Sequence, residues 1–206
     1  MARIDHTVTS GTFSLDAQTF DVDNNVWVLG DDEECVVFDA PHDVDAIKAV
    51  VAGRTVRAIL CTHAHDDHVR FAPELATAVN APILLHPADR PVWQLTHAFD
   101  PDGELADGQT IEVAGTTLQV LHTPGHSPGA VCFYVPDLGV VFTGDTLFNG
   151  GPGATGRSFS HHPTIVGSIR TKLFALPPDT VVKTGHGDDT TIAAEIETLG
   201  MEPERD

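Results

Sequence analysis

The segment Thr62-His63-Ala64-His65-Asp66-Asp67-His68 constrains this chain more than any other, because it crowds three histidines and two aspartates into one short loop. The run before it, Ala58-Ile59-Leu60-Cys61, is continuously apolar and bounded by polar residues, as expected of a buried strand that delivers the loop at its end. His63 and His65 are two residues apart and point the same way in extended backbone. Asp67 and His68 follow a turn and face a second point in space. The pattern H-x-H-x-D-H therefore suits two metal ions side by side.

Two ions need more donors than one loop supplies, since zinc-like ions take about four to six N and O ligands and a catalytic site leaves a position for water. Three later residues follow a common grammar of strand, glycine-containing turn and ligand-type side chain. His126 lies in Thr123-Pro124-Gly125-His126-Ser127-Pro128-Gly129 after the strand-like Thr117-Leu118-Gln119-Val120-Leu121. Asp145 lies in Thr143-Gly144-Asp145-Thr146 after Gly139-Val140-Val141-Phe142, and His186 in Thr184-Gly185-His186-Gly187 after Thr180-Val181-Val182-Lys183. Each alone is weak, because a histidine after a strand is often only a hydrogen-bonded loop residue and Gly-Asp-Thr is often a helix cap. Their repetition is what points to a metal centre.

The order THAHDDH, PGHSPG, TGDTLF and TGHGDDTTI, spread from Asn25 to Thr198, resembles the metallo-β-lactamase fold superfamily, and within it the hydroxyacylglutathione hydrolase (glyoxalase II) group. The resemblance implies an α/β fold, the αββα four-layer sandwich. It implies that His63, His65 and His126 bind a first metal, that Asp67, His68 and His186 bind a second, and that Asp145 bridges them. Zinc is the expected metal, with iron or manganese as alternatives. A bridging aspartate favours thioester and lactone hydrolases over antibiotic-hydrolysing lactamases. Flavodiiron proteins place a glutamate where His65 stands, and nuclease relatives usually carry an added domain or arm.

With 206 residues, 41% of them hydrophobic, and no linker-like stretch, the chain is expected to form one domain over residues 1–206. Lys and Arg total 11 against 30 Asp and Glu, a net charge of -19 that opposes binding to nucleic acid or anionic membranes. Cys35, Cys61 and Cys132 sit in apolar runs and are expected to be reduced core residues. Met1-Ala2-Arg3-Ile4-Asp5-His6 lacks the apolar run of a signal peptide, and no segment approaches transmembrane length, so a cytoplasmic location is expected.

Strand-like runs occur at Asn25–Leu29, Cys35–Asp39, Val56–Cys61, Pro82–His86, Gln109–Val113, Thr117–His122, Ala130–Val135, Val140–Thr143 and Thr180–Thr184, with helices expected at Val44–Ala52, Ala72–Asn80, Pro163–Ala175 and Thr190–Leu199. This mixture suggests two sheets between outer helices. Gly151-Pro152-Gly153-Ala154-Thr155-Gly156 fits G-x-G-x-x-G, but it neither follows a strand directly nor opens a helix, and is read as a mobile loop near the metals rather than a dinucleotide site. Arg157 either anchors a substrate carboxylate or makes a supporting salt bridge near the ligands. His161 and His162 are expected in solvent ahead of a helix begun by Pro163, and His6, His42, His86, His97 and His122 are expected to be structural.

Asp67 is also the expected catalytic residue, orienting a bridging hydroxide that attacks a carbonyl polarised by one of the two metals. The substrate implied is a thioester, an S-acyl or S-formyl conjugate of a small thiol. Glyoxalase II proteins carry a helical C-terminal region that supplies much of their glutathione site, and this chain ends soon after His186, so those contacts cannot be carried over. Persulfide dioxygenases share these motifs but use one iron at the positions of His63, His126 and Asp145. Lactone hydrolysis would use the same ligands as the thioesterase.

Overall fold

The computed structural model describes residues 1–200; the expected domain runs on to Asp206, and residues 201–206 lie outside the described residues. One six-stranded sheet runs in spatial order β1 (Arg3–Leu15), β2 (Gln18–Gly30), β3 (Glu34–Phe38), β4 (Thr55–Leu60), β5 (Ile83–Leu85) and β6 (Gly103–Glu104). Beyond it in the chain come β7 (Thr110–Val113), β8 (Thr116–His122), β9 (Val131–Val135), β10 (Val140–Gly144), the short ribbon β11 (Leu147–Phe148) and β12 (Gly151–Pro152), then β13 (Val181–Thr184) and β14 (Thr190–Thr191). The second six-stranded sheet has the order β14-β13-β10-β9-β8-β7. The helices are α1 (Val44–Val51), α2 (Asp66–Val69), α3 (Ala72–Val79), α4 (Arg90–Trp93), α5 (His162–Ser168) and α6 (Ile192–Leu199).

Strand alternation explains the layering. In β2, Val26 and Val28 point to one face and Trp27 and Leu29 to the other, and all four are buried. The first pair packs with Ile47, Val51 and Leu75 beneath α1 and α3. The second pair joins Phe38, Leu118, Phe133 and Phe142 between the two sheets. On the far side, Cys132, Val141 and Val182 meet Ile165, Ile169 and Ile192 under α5 and α6. Three apolar seams thus separate four layers, the αββα sandwich that the motifs implied.

Two caps show why the helices begin where they do. Asp43 accepts from the Ala46 backbone N–H at 2.9 Å to start α1, and Thr191 Oγ1 accepts from Ala194 N at 3.2 Å to start α6. The expected Pro163–Ala175 helix divides into α5 and a wider π-helical turn, Ile169–Leu173. Of the expected Thr190–Leu199 helix, the first two residues pair with β13 instead. The largest difference is at the N-terminus, where β1 and β2 form a hairpin in unbroken register from Arg3↔Gly30 to Leu15↔Gln18. Its outer half is largely exposed, so it lacks the one-sided apolar alternation by which strands are recognised in sequence.

Candidate metal centre

The loops after β4, β8, β10 and β13 converge at one end of the sandwich and bring all seven expected ligands together. His63, His65 and His126 form one group of donors, His63, His68 and Asp145 a second, and Asp67, His68 and His186 a third, with donor atoms within 4.8 Å of one another in each. His63 Nε2 lies 3.0 Å from His65 Nδ1, which lies 2.9 Å from His126 Nε2. Asp145 spans the groups: its Oδ2 is 3.5 Å from His126 Nε2 and 3.4 Å from His186 Nε2. Asp67 Oδ2 lies 3.4 Å from His186 Nε2 and 3.5 Å from His68 Nε2.

The outward nitrogens fix which way most of these rings present a lone pair. His68 Nδ1 donates to Asp39 Oδ2 at 2.8 Å, His126 Nδ1 to the Ala154 carbonyl at 2.9 Å and His186 Nδ1 to the Asp23 carbonyl at 2.7 Å. Thr62 Oγ1 donates to Asp39 Oδ2 at 2.8 Å and so accepts from His63 Nδ1 at 3.1 Å. With a proton held on the outer nitrogen, Nε2 is left as a base aimed into the cluster.

Electrostatics divide the cluster in two. Burial pushes His63 well below the usual imidazole range and His65 down to about 3, with the neighbouring histidines adding to the effect, so both are neutral. For His186, burial acts downward but is outweighed by Asp145 and Asp67, which raise it to about 10. His68 is likewise raised against its burial, by Asp145, Asp67 and Asp39. Burial favours neutral carboxyls at Asp67 and Asp145, yet His68 and His186 hold Asp67 down to about 2 and Asp145 well below the carboxylate range. Neutral His63 and His65 beside the ionised Asp67 and Asp145 suit a divalent cation, and a second cation would displace the protons held by His68 and His186. Asp145 Oδ1 is buried without a hydrogen-bond partner, which fits a carboxylate oxygen reserved for a cation.

Close approach demands glycine here. A Cβ on Gly185 would collide with Asp145 Oδ1, and Gly144, at φ +48°, brings the backbone against Thr62.

Several supporting residues lay outside the expected set. Asn24 Nδ2 donates to both the carbonyl and the carboxylate of Asp67 at 3.1 Å, and its own oxygen accepts from His42 Nε2 at 2.8 Å. Asp89 accepts from Ala64 N at 2.8 Å, from Ser127 Oγ at 2.8 Å and from Gly129 N at 2.5 Å, tying the His63–His65 loop to the His126 loop. Asp39 had a usable signal, an acid ending an apolar strand as Asp145 does. Nothing local marks Asp89.

The glycine-rich segment near the site is anchored at several points. Gly150 N donates to Glu195, Gly153 N to the Thr146 carbonyl, and Ser158 N to Asp16 Oδ2 at 2.9 Å. Arg157 lines the cleft together with His65, Asp67, His126, Asp145 and His186, and stacks on aromatic rings. His161 and His162 are exposed at the start of α5. His6 bonds Asn25, His97 the Val69 carbonyl and His122 the Pro128 carbonyl, and His86 stacks on His122 at 4.0 Å. The three cysteines are free and buried. Among the described residues, no helix is long and apolar enough to cross a membrane.

Comparison with known proteins identifies the family. Residues 19–186 match the metallo-beta-lactamase superfamily. The probable metallo-hydrolase YqgX of Bacillus subtilis (strain 168) is 34% identical over 188 residues, covering 83% of this chain and 88% of that protein. A hydroxyacylglutathione hydrolase of Salmonella paratyphi A is 35% identical over 166 residues, covering 80% of this chain and 62% of the relative. Among solved structures, BLEG-1 B3 metallo-beta-lactamase has a TM-score of 0.78 at 32% identity, covering 92% of this chain and 97% of that one. TTHA1623 in a di-iron-bound form has a TM-score of 0.76 at 33% identity, covering 86% and 94%. The chain therefore belongs to the metallo-β-lactamase superfamily.

Proposed function

We propose that the protein is a dinuclear metal-dependent thioesterase that cleaves an S-acyl or S-formyl conjugate of a small thiol. The observation that carries this reading is the position of Asp145, whose Oδ2 reaches histidines of both donor groups at 3.4 and 3.5 Å. His63, His65 and His126 would hold one ion, Asp67, His68 and His186 the other, and Asp145 both. Two divalent ions held there, zinc by preference, would supply Lewis acidity at the carbonyl and would ionise water near neutral pH.

The chain's own groups position and shield that chemistry. Asp67 is fixed at Oδ2 by Asn24 and faces His186 through that oxygen, which leaves its carboxylate to orient the attacking water and take up its proton. Phe13, beside His65 at 5.2 Å between ring centres, and Phe148, beside His186 at 6.0 Å, flank the histidines and limit solvent access. The cleft is about 460 Å³, a volume suited to a small-molecule conjugate.

The similarity to the hydroxyacylglutathione hydrolase supports a thioester substrate, while the similarity to BLEG-1 supports a second reading, β-lactam hydrolysis at the same centre. The similarity to TTHA1623 makes iron an alternative to zinc. Metal analysis of the purified protein, coupled to a panel of thioesters, lactones, β-lactams and persulfides, tests the proposal. Two ions per chain and selective thioester turnover are expected. One iron per chain with oxygen consumption would overturn it in favour of persulfide oxidation.

A further inference from the structure

The tip of the β1–β2 hairpin leans over the metal centre and is fastened there. Ser14 N donates to Asp66 Oδ1 at 3.0 Å, Arg70 donates to Thr12 Oγ1 at 3.1 Å and pairs with Asp66, and Asp16 accepts from Ser158 N at 2.9 Å. This clasp places the cross-strand partners Phe13 and Phe20 in the cleft wall, facing Arg157. The Arg157 guanidinium carbon lies 5.4 Å from the centre of the Phe13 ring and 4.5 Å from that of Phe20. Its Nη1 is buried and has no hydrogen-bond partner.

A guanidinium is always charged and donates through a planar fork that matches a carboxylate. Stacking on two rings satisfies its faces but not its edge, so a buried edge donor in a substrate cleft is poised for an acceptor that arrives with the ligand. Arg157 is the only Arg or Lys lining the cleft among the described residues, and Asp23 lines it as well. A cleft with one cation and a further acid in its wall matches a single negative charge better than a phosphate dianion. Asp16 lies near enough for its acidity to feel Arg157, but Ser158 is its main partner and it is fully exposed to water.

We propose that Arg157, held between Phe13 and Phe20, binds a free carboxylate of the substrate, so that the enzyme selects carboxylate-bearing thiol conjugates over neutral ones. The inference rests on the thioesterase reading for the substrate's reactive bond, and only there. The test uses the metal-loaded full chain and three thioesters: S-butyryl-N-acetylcysteamine, which is neutral; its S-succinyl counterpart, charged on the acyl side; and S-butyryl-3-mercaptopropionate, charged on the thiol side.

At least one charged probe should show a kcat/KM advantage of about tenfold or more over the neutral one, residing in KM. Arg157→Gln should erase that advantage, and Arg157→Lys should keep part of it. An equal rate on all three probes, or an advantage that survives in Arg157→Gln, would overturn the inference and leave Arg157 as a clamp between hairpin and loop. If no probe is cleaved, the thioesterase reading fails by itself, and binding decides the carboxylate site. Monomethyl glutarate should then bind more tightly than dimethyl glutarate in NMR titrations, by a margin lost in Arg157→Gln; an unchanged margin overturns the proposal.

Discussion

Ser127 donates its hydroxyl to Asp89 Oδ2 at 2.8 Å across 38 residues of sequence, so the loop carrying His126 is held by a carboxylate that also receives the amide between His63 and His65. Removing that carboxylate strands the donors Ala64 N, Ser127 Oγ and Gly129 N. Asp89→Ala is expected to cost about 2–4 kcal/mol of stability and about 10- to 100-fold in metal affinity. Urea unfolding and a chelator competition titration check both; unchanged metal affinity would show that the two loops hold their places without it.

Asp145 is expected to govern how many ions the centre retains. Asp145→Ala should lower metal content from two ions per chain to one or fewer and reduce kcat/KM by at least about 100-fold. Asp67→Asn, which leaves the Asn24 contact possible but removes the charge, should depress kcat more than metal content. Elemental analysis beside steady-state kinetics separates the two effects, and an active, fully loaded Asp67/Asp145 double variant would contradict the dinuclear scheme.

The metal-free protein should become less stable as pH rises. Asp145 and Asp67, working against burial, hold His186 protonated up to about 10, and His68 is raised too. A raised imidazolium stabilises the folded state fully below the unfolded value of about 6.5. That contribution fades as pH climbs through the folded value. Thermal melts of chelator-treated protein should therefore fall in Tm between about pH 6.5 and 10. Metal binding needs the same nitrogens bare, so it should release protons and strengthen with pH. Calorimetric titration in buffers of different ionisation enthalpy would reveal an absence of proton release.

The thiols should be inert in the native state. Burial raises Cys35, pushes Cys61 well above the ordinary thiol range and lifts Cys132 to about 11. Iodoacetamide at pH 8 is expected to leave all three unmodified until denaturant is added, as mass spectrometry would show.

What could be read from the chain alone follows the chemistry of the donors. His63, His65, Asp67, His68, His126, Asp145 and His186 stand out because few side chains hold metals and each follows a strand and a tight turn. The core strands Cys35–Phe38 and Val140–Phe142 were legible because burial on both faces requires an unbroken apolar run. Asp89 and Asn24 were not, since their roles depend on partners distant in sequence and on no local pattern. The hairpin tip was hidden for a different reason: Gln18–Asp21 in β2 is exposed and includes three polar residues, and its strand form comes from pairing with β1 rather than from burial.

Under the carboxylate proposal, that hairpin would act as a gauge. Phe20 in the cleft wall and Asn24 on Asp67 belong to one strand four residues apart, and a strand advances about 3.3 Å per residue. If Arg157 holds a ligand there, the backbone separation of Phe20 from Asn24, roughly 13 Å, is set by the register of a paired ribbon. Removing two register pairs from the tip, which keeps Phe13 and Phe20 on the same face, would shorten that separation while the seven expected ligands stayed in place, so the length of ligand accepted would vary independently of the donor set.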